Sequence, residues 1–178
     1  MLSQILFLFF LIGAIIFLIF KLKRALIRFY VIIQGPFFAP TSYKRIKQIT
    51  QLAQLKPGMK IADLGSGDGR ILIGLVKACP KITAIGIELD PKYVKLAKEN
   101  VEATGLNKRI RIKHASFWSM DLSNYDIITI YGIQRIMGKL EKKLKNEVKK
   151  SCKVVSVFFQ FPTWEPKKQL GDIRLYRK

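Results

Sequence analysis

The 178 residues are 49% hydrophobic and carry 32 Lys and Arg against 12 Asp and Glu, a formal net charge of +20, which excludes an acidic disordered chain. Two cysteines far apart in the sequence, Cys79 and Cys152, and a single histidine, His114, exclude both a disulfide scaffold and a Cys/His zinc site. A reduced compartment and a site without metal are expected.

Residues 1–20 contain no charged side chain, so the whole net charge falls on the 158 residues that follow, a length for one ordinary domain. The run from Ile5 to Phe20, extended by Met1 to Gln4, reaches roughly 30 Å as a helix, about the thickness of a bilayer core. Lys21, Lys23, Arg24 and Arg28 follow this run instead of preceding it, which fits an uncleaved single-pass anchor better than a secretory signal. Positive charge on that flank places the remainder on the cytoplasmic, or mitochondrial matrix, side of a membrane. Ala25 to Ile33 is expected to continue along the membrane surface.

After the linker Gly35–Pro40, Thr41 or Ser42 can cap a helix with apolar positions at Ile46, Ile49, Leu52 and Leu55, stopped by Lys56-Pro57-Gly58. Lys60–Leu64 reads as a strand that enters a glycine loop, and Arg70–Ala78 as a largely buried helix ended by Cys79-Pro80. The alternation then repeats: a strand at Ile82–Glu88, a helix at Pro91–Ala103, and strands at Ile110–Lys113 and Tyr125–Tyr131. A basic amphipathic helix over about Ile133–Lys150 precedes a strand at Val154–Phe161, which Pro162 breaks, and Ile173–Tyr176 adds a last short strand. Such alternation predicts a mostly parallel sheet of about six strands covered by helices.

Asp63-Leu-Gly65-Ser66-Gly67-Asp68-Gly69 sits where a strand hands over to a helix, the place where an open parallel sheet offers backbone amides and a crevice. Nineteen residues beyond Gly69, Glu88 ends the next strand and is expected to accept hydrogen bonds from both hydroxyls of a ribose. A dinucleotide fingerprint would need its third glycine at position 70, which is Arg70.

With its strand ending in Glu88, this Asp-x-Gly-x-Gly-x-Gly motif resembles the S-adenosylmethionine site of class I methyltransferases, which have a Rossmann-like α/β fold. Within that superfamily, Ala39-Pro40-Thr41, residues 63–70, Gly86-Ile-Glu-Leu-Asp90, Phe117-Trp118, Asp121-Leu-Ser, Tyr131-Gly132 and Phe161-Pro-Thr-Trp164 are together similar to membrane-anchored protein-lysine methyltransferases. Mitochondrial members of that group modify the ATP synthase c subunit and the adenine nucleotide carrier. The chain is read as an anchor at 1–20, a basic juxtamembrane segment at 21–40 and a methyltransferase domain at 41–178, expected to be a monomer; the resemblance, over about residues 36–165, implies a lysine methyltransferase fixed to a membrane. It also implies that Asp63 and the backbone of Gly65 and Gly67 face the methionine part of the donor, with Ser66 and Gly69 in the same loop, Asp68 helping through solvent, and Glu88 holding the ribose. Where the superfamily often has an acidic residue for the adenine amino group, this chain has Ser116; Ser116 is the expected hydrogen-bond acceptor, and Phe117 or Trp118 the expected cover of the adenine ring.

Methyl transfer to an amine requires alignment and exclusion of water rather than a triad. Tyr131, Gln134 and Trp164 are the expected substrate channel, with Gln160 beside them and Thr41 and Tyr43 closing from the amino-terminal side. Asn-Pro-Pro-Tyr, the signature of methylation on adenine or glutamine amino groups, is replaced after the fourth strand by Ile130-Tyr-Gly-Ile-Gln134. Lys139, Lys142, Lys143, Lys145, Lys149, Lys150 and Lys153 in or after one helix form an expected surface for anionic lipid. The anchor disfavours the nucleic acid that the same charge would suit. Two other activities compete with a protein-lysine acceptor: methylation of a lipid or quinone headgroup, and a basic RNA- or lipid-binding module without turnover.

Overall fold

In a computed structural model, residues 2–34 and 39–178 are described, and the chain divides into two compact units, Met1–Gln34 and Gly35–Lys178. The linker expected at Gly35–Pro40 falls largely on residues 35–38, which lie outside the described residues.

The first unit is one uninterrupted helix, α1 (Leu2–Gln34). Its stretch Gln4–Ile27 is long and apolar enough to cross a membrane and is not buried within the protein. The segment Ala25–Ile33 continues the same helix, with no glycine or proline to interrupt it.

The second unit is a seven-stranded sheet with helices on both faces. Helix α2 (Tyr43–Ala53) begins at Ser42, whose hydroxyl accepts from the Arg45 N–H at 3.4 Å; of the two candidate caps, Ser42 is the one used, and Thr41 is buried. The helix stops at Gln54, in the left-handed conformation with φ 49°, so Leu55 packs against the core from outside the helix. Strand β1 (Lys60–Leu64) leads through the glycine loop to α3 (Arg70–Ala78) and β2 (Thr83–Glu88). Asp90 caps α4 (Pro91–Ala103), with proline at its first position where a missing N–H costs nothing. Then follow β3 (Ile110–His114), a single 3-10 turn at Phe117–Ser119, β4 (Ile127–Ile130), α5 (Gln134–Glu147) and β5 (Lys153–Val157).

The chain closes with a hairpin, β6 (Lys168–Leu170) and β7 (Ile173–Arg177). The order is β3-β2-β1-β4-β5-β7-β6, with β1 to β5 parallel and β7 antiparallel to β5 and β6. The count is seven rather than about six because β6, three largely exposed residues on the sheet edge, has no apolar alternation to betray it. Strand β5 ends at Val157, four residues before the expected Phe161. Phe158 turns to φ 68° there, its N–H donating to Asp172 O at 2.8 Å in place of continuing a parallel ladder.

Because helices cover both faces, the central strands are buried throughout: all four residues of β4 and all five of β5. Ile49, Leu72, Leu75 and Val155 pack on the face covered by α2 and α3; Leu64, Ile128, Met137 and Leu140 pack on the face covered by α5.

Candidate functional site

Strand order reverses between β1 and β4: from β1 the chain runs outward to β2 and β3, and from β4 it runs outward to β5. Connections leave this point on opposite sides and open a crevice at the carboxyl ends of the two strands. The glycine loop lies there. Gly65, Gly67 and Gly69 have φ of 78°, 54° and 80°, a left-handed backbone that a residue with a Cβ adopts only under strain. Gly65 and Ser66 both donate their N–H to Ile87 O, at 2.8 and 3.2 Å, and Gly69 donates to Ser66 O at 2.9 Å.

Glu88, buried at the end of β2, closes the loop from the other side. Its Oε2 accepts from the Gly67 N–H at 2.8 Å, and its Oε1 accepts from the N–H groups of Leu89 and Asp90, each at 2.8 Å. A carboxylate has about four acceptor positions. Three are filled, so the capacity expected for two ribose hydroxyls is reduced to one at Oε2 in this arrangement. Gly86 is needed for a neighbouring reason: a Cβ there would lie 2.5 Å from Ser66 Oγ and 2.8 Å from Ile112 Cδ1. Ser66 Oγ itself is buried without a hydrogen-bond partner.

Asp63 is 1% exposed near the end of β1. Thr129, directly across from it on β4, donates its hydroxyl to Asp63 Oδ1 at 2.6 Å, and Oδ2 has no partner. Burial pushes the Asp63 carboxyl up to about 7; the Thr129 hydrogen bond opposes this shift, and the charges of Glu88 and Asp68 add to it. A buried carboxylate oxygen left without a partner is costly unless something outside the chain completes it. A ligand carrying an ammonium group and a ribose fits this set: an acceptor at Asp63 Oδ2, an acceptor at Glu88 Oε2, and a loop without side chains beyond Cβ except Ser66 and Asp68.

Several expected site residues have other occupations. Asp68 is engaged with Arg70, whose Nε lies 3.0 and 2.8 Å from its two oxygens and whose Nη2 lies 2.6 Å from Oδ2. Arg70 Nη1 reaches Thr41 O at 3.3 Å, so the pair ties the loop to the segment ahead of α2. Ser116 caps the 3-10 turn, accepting from the Trp118 N–H at 3.3 Å. Phe117 is buried among the core residues on the α5 face, and the ring of half-buried Trp118 lies 4.7 Å away, tilted at 46°.

Tyr131 follows the carboxyl end of β4 and Gln134 opens the first turn of α5; Tyr131 is half-buried and Gln134 exposed. Tyr131 is close enough to Arg45 to contribute to the rise in that guanidinium's pKa, whose main cause is the hydrogen bond to Asp172. Trp164 belongs elsewhere. It packs against Phe161 and Tyr176, each with ring centroids 5.5 Å away, and its indole N–H donates to Arg177 O at 3.1 Å. Arg177 pairs with Lys153 at the amino end of β5, the end of the sheet opposite the crevice. Trp164 is a core residue there, because the aromatic face it needs is supplied by the closing hairpin. Gln160 is exposed beyond β5, and Tyr43 is 88% exposed.

Of the seven lysines expected to form a basic surface in or after α5, three pair with acids. Lys143, Lys145 and Lys149 lie 2.6 Å from Glu147, Glu141 and Asp126, and Lys139 sits 4.7 Å over the Trp118 ring. Lys153 is buried, its Nζ donating to Ala53 O at 2.6 Å and Gln54 O at 3.3 Å, and burial lowers its pKa. Lys142 and Lys150 remain exposed.

Sequence reasoning missed Thr129 and the bracing role of Arg70. The signal for Thr129 was a lone hydroxyl in the otherwise apolar run Ile127-Ile-Thr-Ile130.

The sequence model of the family described as "ANTKMT methyltransferase domain" matches residues 63–168. Over 135 residues the chain is 31% identical to the human lysine N-methyltransferase of the ATP synthase c subunit, an alignment covering 76% of this chain and 57% of the human protein. It is 30% identical over 130 residues to a "Protein-lysine N-methyltransferase" of Saccharolobus islandicus, covering 73% of this chain and 81% of the archaeal protein. Among solved structures, an RNA methyltransferase from Salinibacter ruber in complex with S-adenosyl-L-homocysteine superposes with a TM-score of 0.72 at 28% identity, covering 78% of this chain and 92% of that one.

Proposed function

The chain belongs to the ANTKMT methyltransferase domain family, and on that premise we propose that it transfers a methyl group from S-adenosylmethionine to the Nε of a lysine in a membrane or membrane-associated protein. The observation that carries the reading is Asp63: a buried carboxylate with one oxygen unpartnered, beside a three-glycine loop latched to Glu88 at the switch point of the sheet. S-adenosylmethionine, when bound, supplies a methyl group on a sulfonium centre.

The chain's own residues bind and align. Asp63 Oδ2 would accept from the donor's ammonium and Glu88 Oε2 from a ribose hydroxyl, and the glycine loop would let the ligand approach the backbone. The acceptor lysine must shed a proton before attack, since an ordinary lysine titrates near 10.4. Desolvation near half-buried Tyr131 at the carboxyl end of β4, together with the positive charge the donor would bring, would favour the neutral amine. Asp63, Glu88 and the glycine loop would hold the donor, which would supply its methyl group to the neutral amine, keep the electron pair of the cleaved bond on sulfur and leave the positive charge on the methylated nitrogen.

A lysine acceptor is supported by the lysine N-methyltransferases to which the chain is similar. A membrane location is supported by α1, with the catalytic unit on the side that Lys21, Lys23 and Arg24 occupy. The rival acceptor is RNA, favoured by the likeness to the Salinibacter enzyme and by the chain's high positive charge. Labelling host membranes with methyl-tritiated donor, followed by mass spectrometry of the labelled band, tests the reading. Methyl-lysine appears with the wild type and is lost with Asp63→Ala. Label in extracted RNA or lipid, with none in protein, would overturn the lysine assignment.

A further inference from the structure

Asp63 and Thr129 occupy one register position on adjacent parallel strands, and neither is more than 1% exposed. The Thr129 hydroxyl has one proton and two acceptors in range, Asp63 Oδ1 at 2.6 Å and Ala62 O at 3.5 Å; the shorter contact takes it. This occupies Oδ1 and leaves Oδ2 as the unpartnered oxygen. We propose that Thr129 is a positioning residue for the donor's amino group, its hydroxyl fixing the Asp63 carboxylate so that Oδ2 is presented to an ammonium. The inference rests on the donor-site reading above and assigns to β4 a share in donor binding that neither the glycine loop nor Glu88 supplies.

The charged groups facing Asp63 are Glu88 from β2 and Asp68 from the loop, the latter paired with Arg70 of α3; β4 contributes the Thr129 hydroxyl. Two acids and burial oppose ionisation of Asp63, and the Thr129 hydroxyl favours it. Losing the hydroxyl therefore disorients the carboxylate and raises its pKa further, so the ligand meets more of the neutral acid at any given pH.

The test is calorimetric titration of the full chain in detergent micelles with S-adenosylhomocysteine, from about pH 5.5 to about pH 8, for wild type, Thr129→Ser and Thr129→Val. Wild-type affinity falls roughly tenfold per pH unit below the Asp63 transition. Thr129→Val, of nearly the same shape, binds at least about tenfold more weakly at neutral pH, and its affinity starts to fall at higher pH; Thr129→Ser, which keeps the hydroxyl, stays within about threefold of wild type. A folded Thr129→Val that keeps both the affinity and the pH profile overturns the proposal, as does equal loss in Val and Ser. Should Thr129→Val fail to fold, Thr129→Ala is titrated in its place, and a folded Ala variant that keeps wild-type affinity and pH profile overturns the proposal. Absence of any wild-type binding defeats the donor-site reading itself and is distinguishable from all of these.

Discussion

Asp63 makes opposite contributions to stability and to binding. In the folded chain its carboxyl titrates at about 7 instead of near 3.8, because burial disfavours the charge. The folded state therefore holds a proton that the unfolded state has released between about pH 4 and about pH 7, and stability declines as pH rises through that window. At 1.36 kcal/mol per unit, the ionised carboxylate costs at most about 4 kcal/mol above pH 7. Asp63→Asn keeps an acceptor for Thr129 and removes the charge. Thermal melts at about pH 8 should show the Asn variant more stable than wild type, with the difference vanishing near pH 4; a variant less stable at both values contradicts this account. A stabilised variant that has lost its ligand is the expected trade at a site held in a costly state. The motif around Asp63 was legible in the sequence because three alternate glycines after an apolar strand have few other uses. Its partner was not, since the pairing of position 63 with 129 exists only once β1 and β4 lie side by side.

Individual elements were read well where apolar periodicity is strong and poorly where a neighbour decides their ends. Helix α2 has its apolar face at Ile46, Ile49 and Leu52 as spacing requires, yet its last turn is finished by a residue a hundred positions away. Lys153 donates to Ala53 O and Gln54 O, replacing the water that exposed helix-end carbonyls would use. Read in sequence, the same lysine is one more cation in a basic run. Lys153→Met should cost about 1–3 kcal/mol by leaving those carbonyls unpaired in a buried place. Urea unfolding, compared with Lys150→Met on the exposed surface, measures it; equal effects of the two changes would remove the capping role. Strand β5 and the closing hairpin follow the same logic. Phe158 leaves the strand because Asp172 O is waiting for its N–H, and Arg174 Nη1 donates to Phe158 O at 2.9 Å.

For the whole molecule, charge and hydrophobicity are partitioned between the two units. The helical unit holds four of the cations and no acid; the remaining 28 Lys and Arg and all 12 acids lie beyond residue 34. If α1 spans a membrane with its basic flank facing inward, a protease added to the cytoplasmic or matrix side of sealed host vesicles should degrade the 35–178 unit, and the same protease on the opposite side should spare it. The reverse pattern would invert the topology.

What the sequence determined by itself was the alternation of strands and helices, the apolar anchor candidate, and the donor motif with its acidic residue at the end of the next strand. Each is a local property: side-chain periodicity, a run of uncharged residues, or glycines demanded by a left-handed backbone. Tertiary structure alone decided that Thr129 meets Asp63, that Trp164 faces the far end of the sheet, that Lys143 and Lys145 of α5 pair with acids on the same helix, and that a seventh strand completes the edge. Those outcomes depend on which groups share a buried neighbourhood, where desolvation makes every unpaired charge or carbonyl expensive enough to choose its partner.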